Sequence, residues 1–258
     1  MAIHPTAIVD SHARVAESAE IGPYAIIGAE VEIGPRTRLM GHDFVEGPTW
    51  IGEDNVVYPY CTIGVAPQDL KYRGERSETR IGSRNRIREF VTIHRGTAGG
   101  GGITSIGNDN LLMVYGHVAH DVSIGDHVIL GNSVGIAGHV QVGDWVDISP
   151  YSGVHQFCRI GRHAFLGPYS VVKQDVLPFS LTSHKPELAV FGANSVGLER
   201  RHFDKATVEA LQTAFRLLTR AQLNTSQAIE RIRAEVPPCS EVEEVIEFIL
   251  SSERGFIK

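Results

Sequence analysis

Aliphatic side chains recur every sixth residue through most of this chain. From Ile106, steps of six land only on Val, Ile or Leu until Val172, and an earlier run from Ile3 to Ile63 keeps the same spacing. A helix has a period near 3.6 and a strand a period of 2, so six fits neither alone. It is typical of the hexapeptide parallel β-helix, in which three short strands joined by tight corners form a coil of about 18 residues.

The repeat makes two further predictions. Residues 18 apart in an uninterrupted stretch should be neighbours on stacked coils, roughly 4.8 Å apart. Glycine often follows the aliphatic position, as at Gly22, Gly52, Gly64 and Gly125. These glycines are expected at corners that need positive φ or a close approach of the backbone.

The last third of the chain has a helical pattern. The sixfold period ends after Val172, and from Ser195 onward apolar residues take helical spacing. Asp204 is predicted to cap one helix, and Ser240-Glu-Val-Glu243 is the pattern of a capping box that opens another. The prediction is a mainly β chain, with a parallel β-helix over residues 1–190 and an α-helical domain over 191–258.

Composition and charge exclude several classes of protein. The net charge of −6 does not indicate a nucleic-acid-binding surface. The start lacks the pattern of a signal peptide, and no apolar run approaches the roughly 20 residues of a spanning helix, so no stable membrane insertion is expected. Three widely spaced cysteines, Cys61, Cys158 and Cys239, favour reduced thiols in a cytoplasmic protein.

Two insertions, at about 64–80 and 94–105, interrupt the repeat just after equivalent aliphatic positions. Both are therefore predicted to leave the prism at the same corner. The first is polar and long enough to be functional. The second contains four consecutive glycines, but no Lys-Ser/Thr follows as a phosphate-binding loop requires. It is interpreted as a flexible lobe.

The 18-residue spacing gathers polar side chains at this corner. His120, Gly138 and Gln156 are each 18 apart, and Asp121 is 18 before His139. The first insertion overhangs the same edge. The predicted site comprises His117, His120, Asp121, Gly138, His139, His155 and Gln156, with Gln68, Asp69 and Lys71 from the loop.

These residue types favour transfer to a hydroxyl by general-base catalysis. The imidazole of His120 can take a proton from a hydroxyl, and the Gly138 N–H is open to an oxyanion because no side chain covers it. Asp121 is adjacent in sequence, so in extended backbone its side chain would diverge from His120. The chain has no nucleophile elbow and no cysteine in the cluster, which favours direct attack over a covalent acyl-enzyme. Lys71 and the pair Arg200-Arg201 suit anionic groups such as a diphosphate.

Five segments resemble bacterial acyl-[acyl-carrier-protein]–UDP-N-acetylglucosamine O-acyltransferases. They are Gln68-Asp-Leu-Lys-Tyr72, Ile87-Arg-Glu-Phe-Val-Thr-Ile-His-Arg-Gly-Thr97, His117-Val-Ala-His-Asp121, Ala137-Gly-His139 and Val154-His-Gln-Phe-Cys158, and the tail adds Gly197-Leu-Glu-Arg-Arg201. The resemblance runs nearly end to end. It implies a cytoplasmic homotrimer of left-handed β-helices, with active sites between subunits, that catalyses the first committed step of lipid A synthesis.

The resemblance also implies roles for individual residues. His120 matches the base that deprotonates the sugar 3-hydroxyl, Asp121 a supporting carboxylate and Gly138 the amide that steadies the thioester oxygen. Gln68, Asp69 and Lys71 match loop contacts to the substrate. The residues that match holders of the UDP-sugar or acyl chain are His117, His139, His155, Gln156, Asn194, Arg200 and Arg201. Arg216 and Arg220 match basic positions facing the acyl carrier protein, whose phosphopantetheine arm brings the donor; no metal and no other cofactor is implied.

Three positions depart from the family pattern. Val196 replaces the usual Glu, so one nucleotide contact is expected to be lost. Glu187 lies in a connector of unusual sequence. Pro168 matches the position that limits acyl-chain length, where a bulkier residue is expected to shorten the accepted chain.

Alternatives remain open at this level. A zinc hydratase on the same scaffold would bind its metal through three histidines. A sibling acyltransferase would use acetyl-CoA or act later in the pathway, although the later enzyme normally carries a domain before its coils. A non-catalytic scaffold would leave the histidine-rich rim unexplained. The sequence fixes neither the acyl length nor whether the acceptor is a 3-hydroxyl or a 3-amino group.

Overall fold

The computed structural model describes residues 2–184 and 188–258, with only the backbone of His184, so Glu187 lies outside the described residues. The first part is a left-handed parallel β-helix with three faces. The chain visits face 1, face 2 and face 3 in turn, and the strands of the coils pair in parallel with the strand one coil away; the last strand, Leu188–Ala193, instead pairs antiparallel with Ser180–His184. The predicted fold is confirmed.

The strands are short, mostly two residues each. Face 1 is built from Ala2–Ile3, Glu20–Ile21, Arg38–Leu39, Val56–Val57, Arg86–Ile87, Leu111–Leu112, Ile129–Leu130, Asp147–Ile148, Phe165–Leu166, Ser180–His184 and Leu188–Ala193. Face 2 is built from Ile8–Val9, Ile26–Ile27, Phe44–Val45, Thr62–Val65, Thr92–His94, His117–Val118, Gly135–Ile136, Gly153–Val154 and Val171–Val172. Face 3 is built from Arg14–Val15, Val31–Ile33, Thr49–Ile51, Glu78–Ile81, Ile103–Ile106, Ser123–Ile124, Gln141–Val142 and Arg159–Ile160.

The sixfold aliphatic ladder is the core of the prism. Ile63, Ile93 and Val118 are fully buried, and each pairs with its counterpart on the next coil. Burying each such side chain contributes roughly 1.5–3 kcal/mol. Only the first coil is open, where Ile3 is 38% exposed because no coil covers that end.

Most of the glycines named from the sequence do not provide positive φ at the corners, which was one of the two roles expected of them. The left-handed positions are held by other residues, for example Tyr115 (φ 62°), Asp121 (φ 60°) and His127 (φ 58°). Among the glycines named from the sequence, only Gly64 has positive φ (76°). The others allow close approach: a Cβ on Gly22 would lie 2.3 Å from the carbonyl oxygen of Met40 on the next coil.

Four helices follow: α1 (Ser195–Arg200), α2 (Lys205–Arg220), α3 (Thr225–Glu235) and α4 (Ser240–Leu250). The predicted division at 190/191 lies inside the strand Leu188–Ala193. Asp204 caps α2 as predicted, accepting from the Thr207 N–H at 2.8 Å. Among the described residues, no helix has the length and apolar character needed to cross a bilayer.

The capping box predicted at Ser240 is wrong. Ser240 is the first residue of α4, after Cys239, and its hydroxyl bonds to Glu241 instead of a backbone N–H. The capping box is found in α3, where Asn224 and Gln227 exchange hydrogen bonds. The pattern named the right residue types, but the helix begins one residue too early for Ser240 to cap it.

Candidate active site

The predicted rim lies at the corner where the chain turns from face 2 to face 3. His117 pairs with Gly135, Gly135 with Gly153, and Gly153 with Val171, which confirms the 18-residue register. His139 donates its backbone N–H to the His120 carbonyl at 3.1 Å, so the corner residues are stacked as predicted. Both insertions leave from this corner as well.

His120 and Asp121 contact each other directly, contrary to the divergence expected of extended backbone. Asp121 adopts φ 60°, and this left-handed turn brings its carboxylate to 2.8 Å from His120 Nδ1. The Asp121 side chain is 1% exposed and that of His120 is 14% exposed. Because Nδ1 donates to Asp121, Nε2 is the ring nitrogen left to accept a proton beside the neighbouring cavity.

The second insertion folds over Asp121 and is not the flexible lobe that the glycine run indicated. A 3₁₀ turn at Ala98–Gly100 follows Thr97. Thr97 donates its backbone N–H to one carboxylate oxygen of Asp121 at 2.8 Å and its hydroxyl to the other at 2.6 Å. The Asp121 N–H in turn donates to the Thr104 hydroxyl at 2.8 Å.

Gly138 lies against the His120 ring. A Cβ built on Gly138 would be 2.6 Å from Cε1 and 2.8 Å from Nε2 of His120, so only glycine leaves the ring in this position. Within the described residues, the Gly138 N–H has no hydrogen-bond acceptor in the protein. An unpaired donor beside the base suits a developing oxyanion.

Further histidines surround His120 and are held neutral. His117 Nδ1 is 2.7 Å from the Thr92 hydroxyl, and His94 packs edge-on against the His117 ring. Burial, followed by repulsion from His117 and His120, lowers the pKa of His94 to about 4. Burial also lowers the pKa of His117 and of His139, the second opposed by the Asp121 charge. These lowered pKa values favour the neutral form of the rings around His120.

Sequence reasoning missed three neighbours of the site: His94, Thr97 and Arg254. His94 and Thr97 stand in a segment quoted for the resemblance, but nothing in their spacing indicated a role. Arg254, from the C-terminal segment, reaches within 3.4 Å of His155 Nδ1. No sequence pattern could have indicated this contact, because Arg254 and His155 are 99 residues apart and meet only where the C-terminal segment packs on the prism.

The first insertion carries Gln68, Asp69 and Lys71 above the rim. Asp69 accepts the Lys71 N–H at 2.9 Å, which shapes the loop tip, and Gln68 lines the cavity beside His120. Arg95 ties both insertions to the prism: it donates to the carbonyls of Gly47 and Gly64, and its backbone N–H donates to Val65.

A trough runs along the outer side of face 2. Its cavity has a volume of about 490 Å³ and extends from His117 and His120 to His155 and Lys173. Gly135 and Gly153 form its floor, and a Cβ on either would meet no atom within 4 Å. Val171 stands at the far end, 56% exposed. The trough is mostly apolar, and one end of it lies at His120.

Asn194, Arg200 and Arg201 lie elsewhere, around a cavity of about 450 Å³ between face 1 and α1. Arg201 covers Trp145 at the corner between faces 3 and 1, with 5.1 Å from its Cζ to the ring centre. Asn194 is buried and caps α1, and Val196 lines the same cavity, 61% exposed. A single subunit therefore does not bring this group to His120.

The remaining predicted residues are also apart from the rim. Arg216 and Arg220 line a polar recess of about 240 Å³ beside Phe191, whose carbonyl accepts from Arg220 at 3.2 Å. Pro168 is exposed at the corner between faces 1 and 2, three residues before Val171. Gln156 is exposed on the rim as predicted.

One set of side chains in the described part of the chain has ligand atoms close enough for a metal: His120, Asp121 and His139, all within 4.8 Å of one another. It offers two histidines and a carboxylate, not the three histidines of the zinc alternative. The Asp121 oxygens already accept from Thr97 twice and from His120. Oδ2, the carboxylate oxygen within 4 Å of both histidines, already has two donors and so has no lone pair left for a metal.

Comparison with known proteins gives a consistent picture. A family model described as UDP-N-acetylglucosamine O-acyltransferase, domain 2, matches residues 175–257. An acyl-[acyl-carrier-protein]–UDP-N-acetylglucosamine O-acyltransferase from Thermodesulfovibrio yellowstonii is 46% identical over 256 residues, 99% of each chain. Its counterpart from Syntrophobacter fumaroxidans is also 46% identical, over all of both chains.

Solved structures agree. The UDP-N-acetylglucosamine acyltransferase LpxA from Bacteroides fragilis superposes with a TM-score of 0.96 at 40% identity, covering 99% of each chain. LpxA from Acinetobacter baumannii gives a TM-score of 0.94 at 42% identity, also over 99% of each chain. The similarity thus includes the prism, both insertions and the helices.

Proposed function

This chain belongs to the family of acyl-[acyl-carrier-protein]–UDP-N-acetylglucosamine O-acyltransferases of lipid A biosynthesis, and we propose that its chemistry takes place at the rim around His120. It transfers a 3-hydroxyacyl group from acyl carrier protein to the 3-position of UDP-N-acetylglucosamine. The observation that carries the site assignment is the His120–Asp121 pair: a buried carboxylate holds Nδ1 while Nε2 stays beside an apolar cavity.

The reaction proceeds by general-base catalysis. His120 Nε2 takes the proton of the sugar 3-hydroxyl as its oxygen attacks the thioester carbonyl. The Gly138 N–H donates to the resulting oxyanion. Collapse breaks the carbon–sulfur bond, and the phosphopantetheine thiolate takes the proton back from His120. Asp121 stays ionised throughout and stabilises the imidazolium.

Direct attack needs no acyl-enzyme. Cys158 is the thiol in the rim corner, and it is fully buried. Burial raises the pKa of the Cys158 thiol, which disfavours the nucleophilic thiolate. The proposal requires no metal and no cofactor other than the phosphopantetheine arm of the donor. A cytoplasmic location suits the three free thiols, Cys61, Cys158 and Cys239.

The complete site is proposed to form between subunits of a homotrimer. His120 and the Arg200-Arg201 pair lie at different corners of one prism, so they cannot both contact one UDP-sugar within a single chain. A neighbouring copy that packs its Arg200-Arg201 corner against the His120 corner would bring both groups to the same substrate. Arg216 and Arg220 are left to meet the acidic carrier protein.

The decisive experiment compares the native protein with His120→Ala, using UDP-N-acetylglucosamine and a ladder of 3-hydroxyacyl carrier proteins. Loss of the base is expected to lower kcat by roughly 10²- to 10⁴-fold. His12→Ala removes a histidine whose side chain is 81% exposed, and serves as the matched control. Near-native turnover by His120→Ala, with the control active, would remove the assignment. Adding the 3-amino sugar as a competing acceptor decides which acceptor is preferred.

A further inference from the structure

The glycine-rich second insertion has a structural role at the rim that the reaction scheme does not use. Its residues from Thr97 to Gly102 close tightly on themselves, with the N–H groups of Gly100 and Gly102 both donating to the Thr97 carbonyl, at 3.0 and 2.8 Å. Gly101 and Gly102 have positive φ, 92° and 80°, which favours glycine at both. The run is therefore a compact turn and carries no sign of a phosphate site.

The turn fits closely over the Asp121 carboxylate. A Cβ on Gly100 would lie 2.0 Å from Asp121 Cγ, whereas a Cβ on the neighbouring Gly99 would meet nothing closer than 4.0 Å. Gly100 therefore has to be glycine for the turn to reach Asp121, and Gly99 does not. The approach places Thr97 where both its backbone N–H and its hydroxyl donate to the carboxylate.

Two donors converge on one oxygen of Asp121. The Thr97 hydroxyl and His120 Nδ1 both bond to Oδ2, at 2.6 and 2.8 Å, while the Thr97 N–H bonds to Oδ1. A carboxylate with a 1% exposed side chain has no water to satisfy it and depends on such donors. Fixing both oxygens fixes the carboxylate plane, and with it the His120 ring.

We propose that Thr97 is a positioning residue for general-base catalysis, and that the glycine-rich turn exists to hold its two donors on Asp121. This inference rests on the proposed role of His120. Thr97 acts through Asp121: it sets the orientation of the carboxylate and the share of its charge available to the imidazole.

The first test is Thr97→Val, which keeps the shape and removes the hydroxyl. With one donor fewer, more of the Asp121 charge acts on His120, so the acidic limb of the kcat/KM profile is expected to move to higher pH. Loss of orientation is expected to lower kcat roughly 10- to 100-fold with little change in KM. Thr97→Ser restores a hydroxyl and is expected to recover most of the activity.

Thr79→Val is the matched control, because Thr79 is also buried but its hydroxyl has no hydrogen-bond partner in the described residues. A second pair tests the turn: Gly100→Ala is expected to act like Thr97→Val, and Gly99→Ala like the native protein. If Thr97→Val does not fold, this glycine pair carries the test alone.

A readout independent of turnover separates this proposal from the function itself. Imidazole ¹⁵N NMR of the free enzyme follows the protonation of the His120 ring, and Thr97→Val is expected to move that titration to higher pH while Nδ1 keeps its proton. Unchanged His120 signals, or a fall in kcat without movement of the pH profile, would overturn the positioning role. If His120→Ala stays active while Thr97→Val still shifts the His120 signals, the proposed role of His120 in catalysis is wrong, whereas the effect of Thr97 on the His120 ring through Asp121 is still supported.

Discussion

At the scale of single residues, Gly138 decides whether the ring of His120, the proposed base, can occupy its place. A Cβ at this position would stand 2.6 Å from His120 Cε1, well inside contact distance. Gly138→Ala is therefore expected to displace the imidazole and lower kcat at least tenfold, with the prism intact because the clash involves a side chain near the surface. Steady-state kinetics together with thermal unfolding by circular dichroism checks this. Native turnover in a variant of native stability would contradict it.

Asp43 gives the prism a pH-dependent stability away from the site. Its side chain is buried, and burial raises its pKa to about 7 from 3.8, although N–H groups of Gly41 and Cys61 oppose the shift. The pKa of Asp43 is higher in the folded chain than in the unfolded chain. Its contribution to the free energy of unfolding is therefore fully present below about pH 4 and is lost as the pH rises through about 7. Relative to Asp43→Asn, the native protein is expected to lose at most about 4 kcal/mol over that window.

Denaturant unfolding of both proteins at pH 5 and pH 8 measures this difference. The comparison cancels the opposite contributions of groups such as His94 and His163, whose pKa values burial lowers to about 4. A free-energy difference between Asp43→Asn and the native protein that stays constant across the two pH values would refute the role of Asp43.

The 18-residue spacing was enough to predict which corner residues stack, including His120 with Gly138 and Asp121 with His139. It was not enough to predict the His120–Asp121 contact. That contact depends on the positive φ of Asp121. Residue spacing carries no information about dihedral angles, and the usual sign of a positive φ, a glycine, is missing at nearly every corner.

At the scale of elements, face 2 is proposed to hold the acyl chain in the trough over Gly135 and Gly153. Gly153→Val is accommodated by the fold, since its Cβ meets no atom within 4 Å, but it fills the trough midway to Val171. The variant is expected to prefer shorter donors, losing about fourfold in kcat/KM for each methylene left unburied. Competition among 3-hydroxyacyl carrier proteins of different length measures the profile.

Gln141→Val, an exposed site on face 3, controls for adding a valine to the surface of the prism. An unchanged length profile in Gly153→Val would show that the chain lies elsewhere. Pro168→Met tests the other length position: it is expected to shorten the preferred donor if the corner before Val171 closes the trough.

The elements differ in how far the sequence determined them. The sixfold ladder predicted every face, because burial imposes the period directly. The turn after Thr97 was misread because four glycines are compatible both with mobility and with a tight fold over Asp121. Only the two hydrogen bonds that Thr97 makes with Asp121, 24 residues further along the chain, distinguish the two.

At the scale of the whole molecule, the proposed sharing of the site between subunits of a trimer predicts complementation. His120→Ala and Arg200→Ala are each expected to be nearly inactive, and Arg200 is exposed, so its loss spares the fold. In mixed trimers made by co-expression, about one site in four should combine an intact His120 with an intact Arg200 from its neighbour. Activity should rise toward that fraction of native. No gain over the separate variants, in trimers proven mixed by mass, would place both groups within one subunit.

The sequence grouped Arg200, Arg201 and Asn194 with the rim, through the resemblance alone. The folded chain separates them because the helices pack against face 1 while the insertions rise between faces 2 and 3. No pattern within one chain specifies where a second copy lies, so the sequence could name the members of the site but not their assembly.

The left-handed corners have a consequence for how such a protein acquires new chemistry. Asp121 has a φ angle close to those of Tyr115, His127 and Trp145, which lie at corners away from His120. The φ angle at Asp121 is not special to this residue, because the other corners of the β-helix have nearly the same φ. A His–Asp pair can therefore be placed on another coil without changing the winding, provided that a short insertion like the turn after Thr97 comes with it to supply the two donors for the carboxylate. Grafting the pair and the turn together is the shortest route to a second activity on this frame.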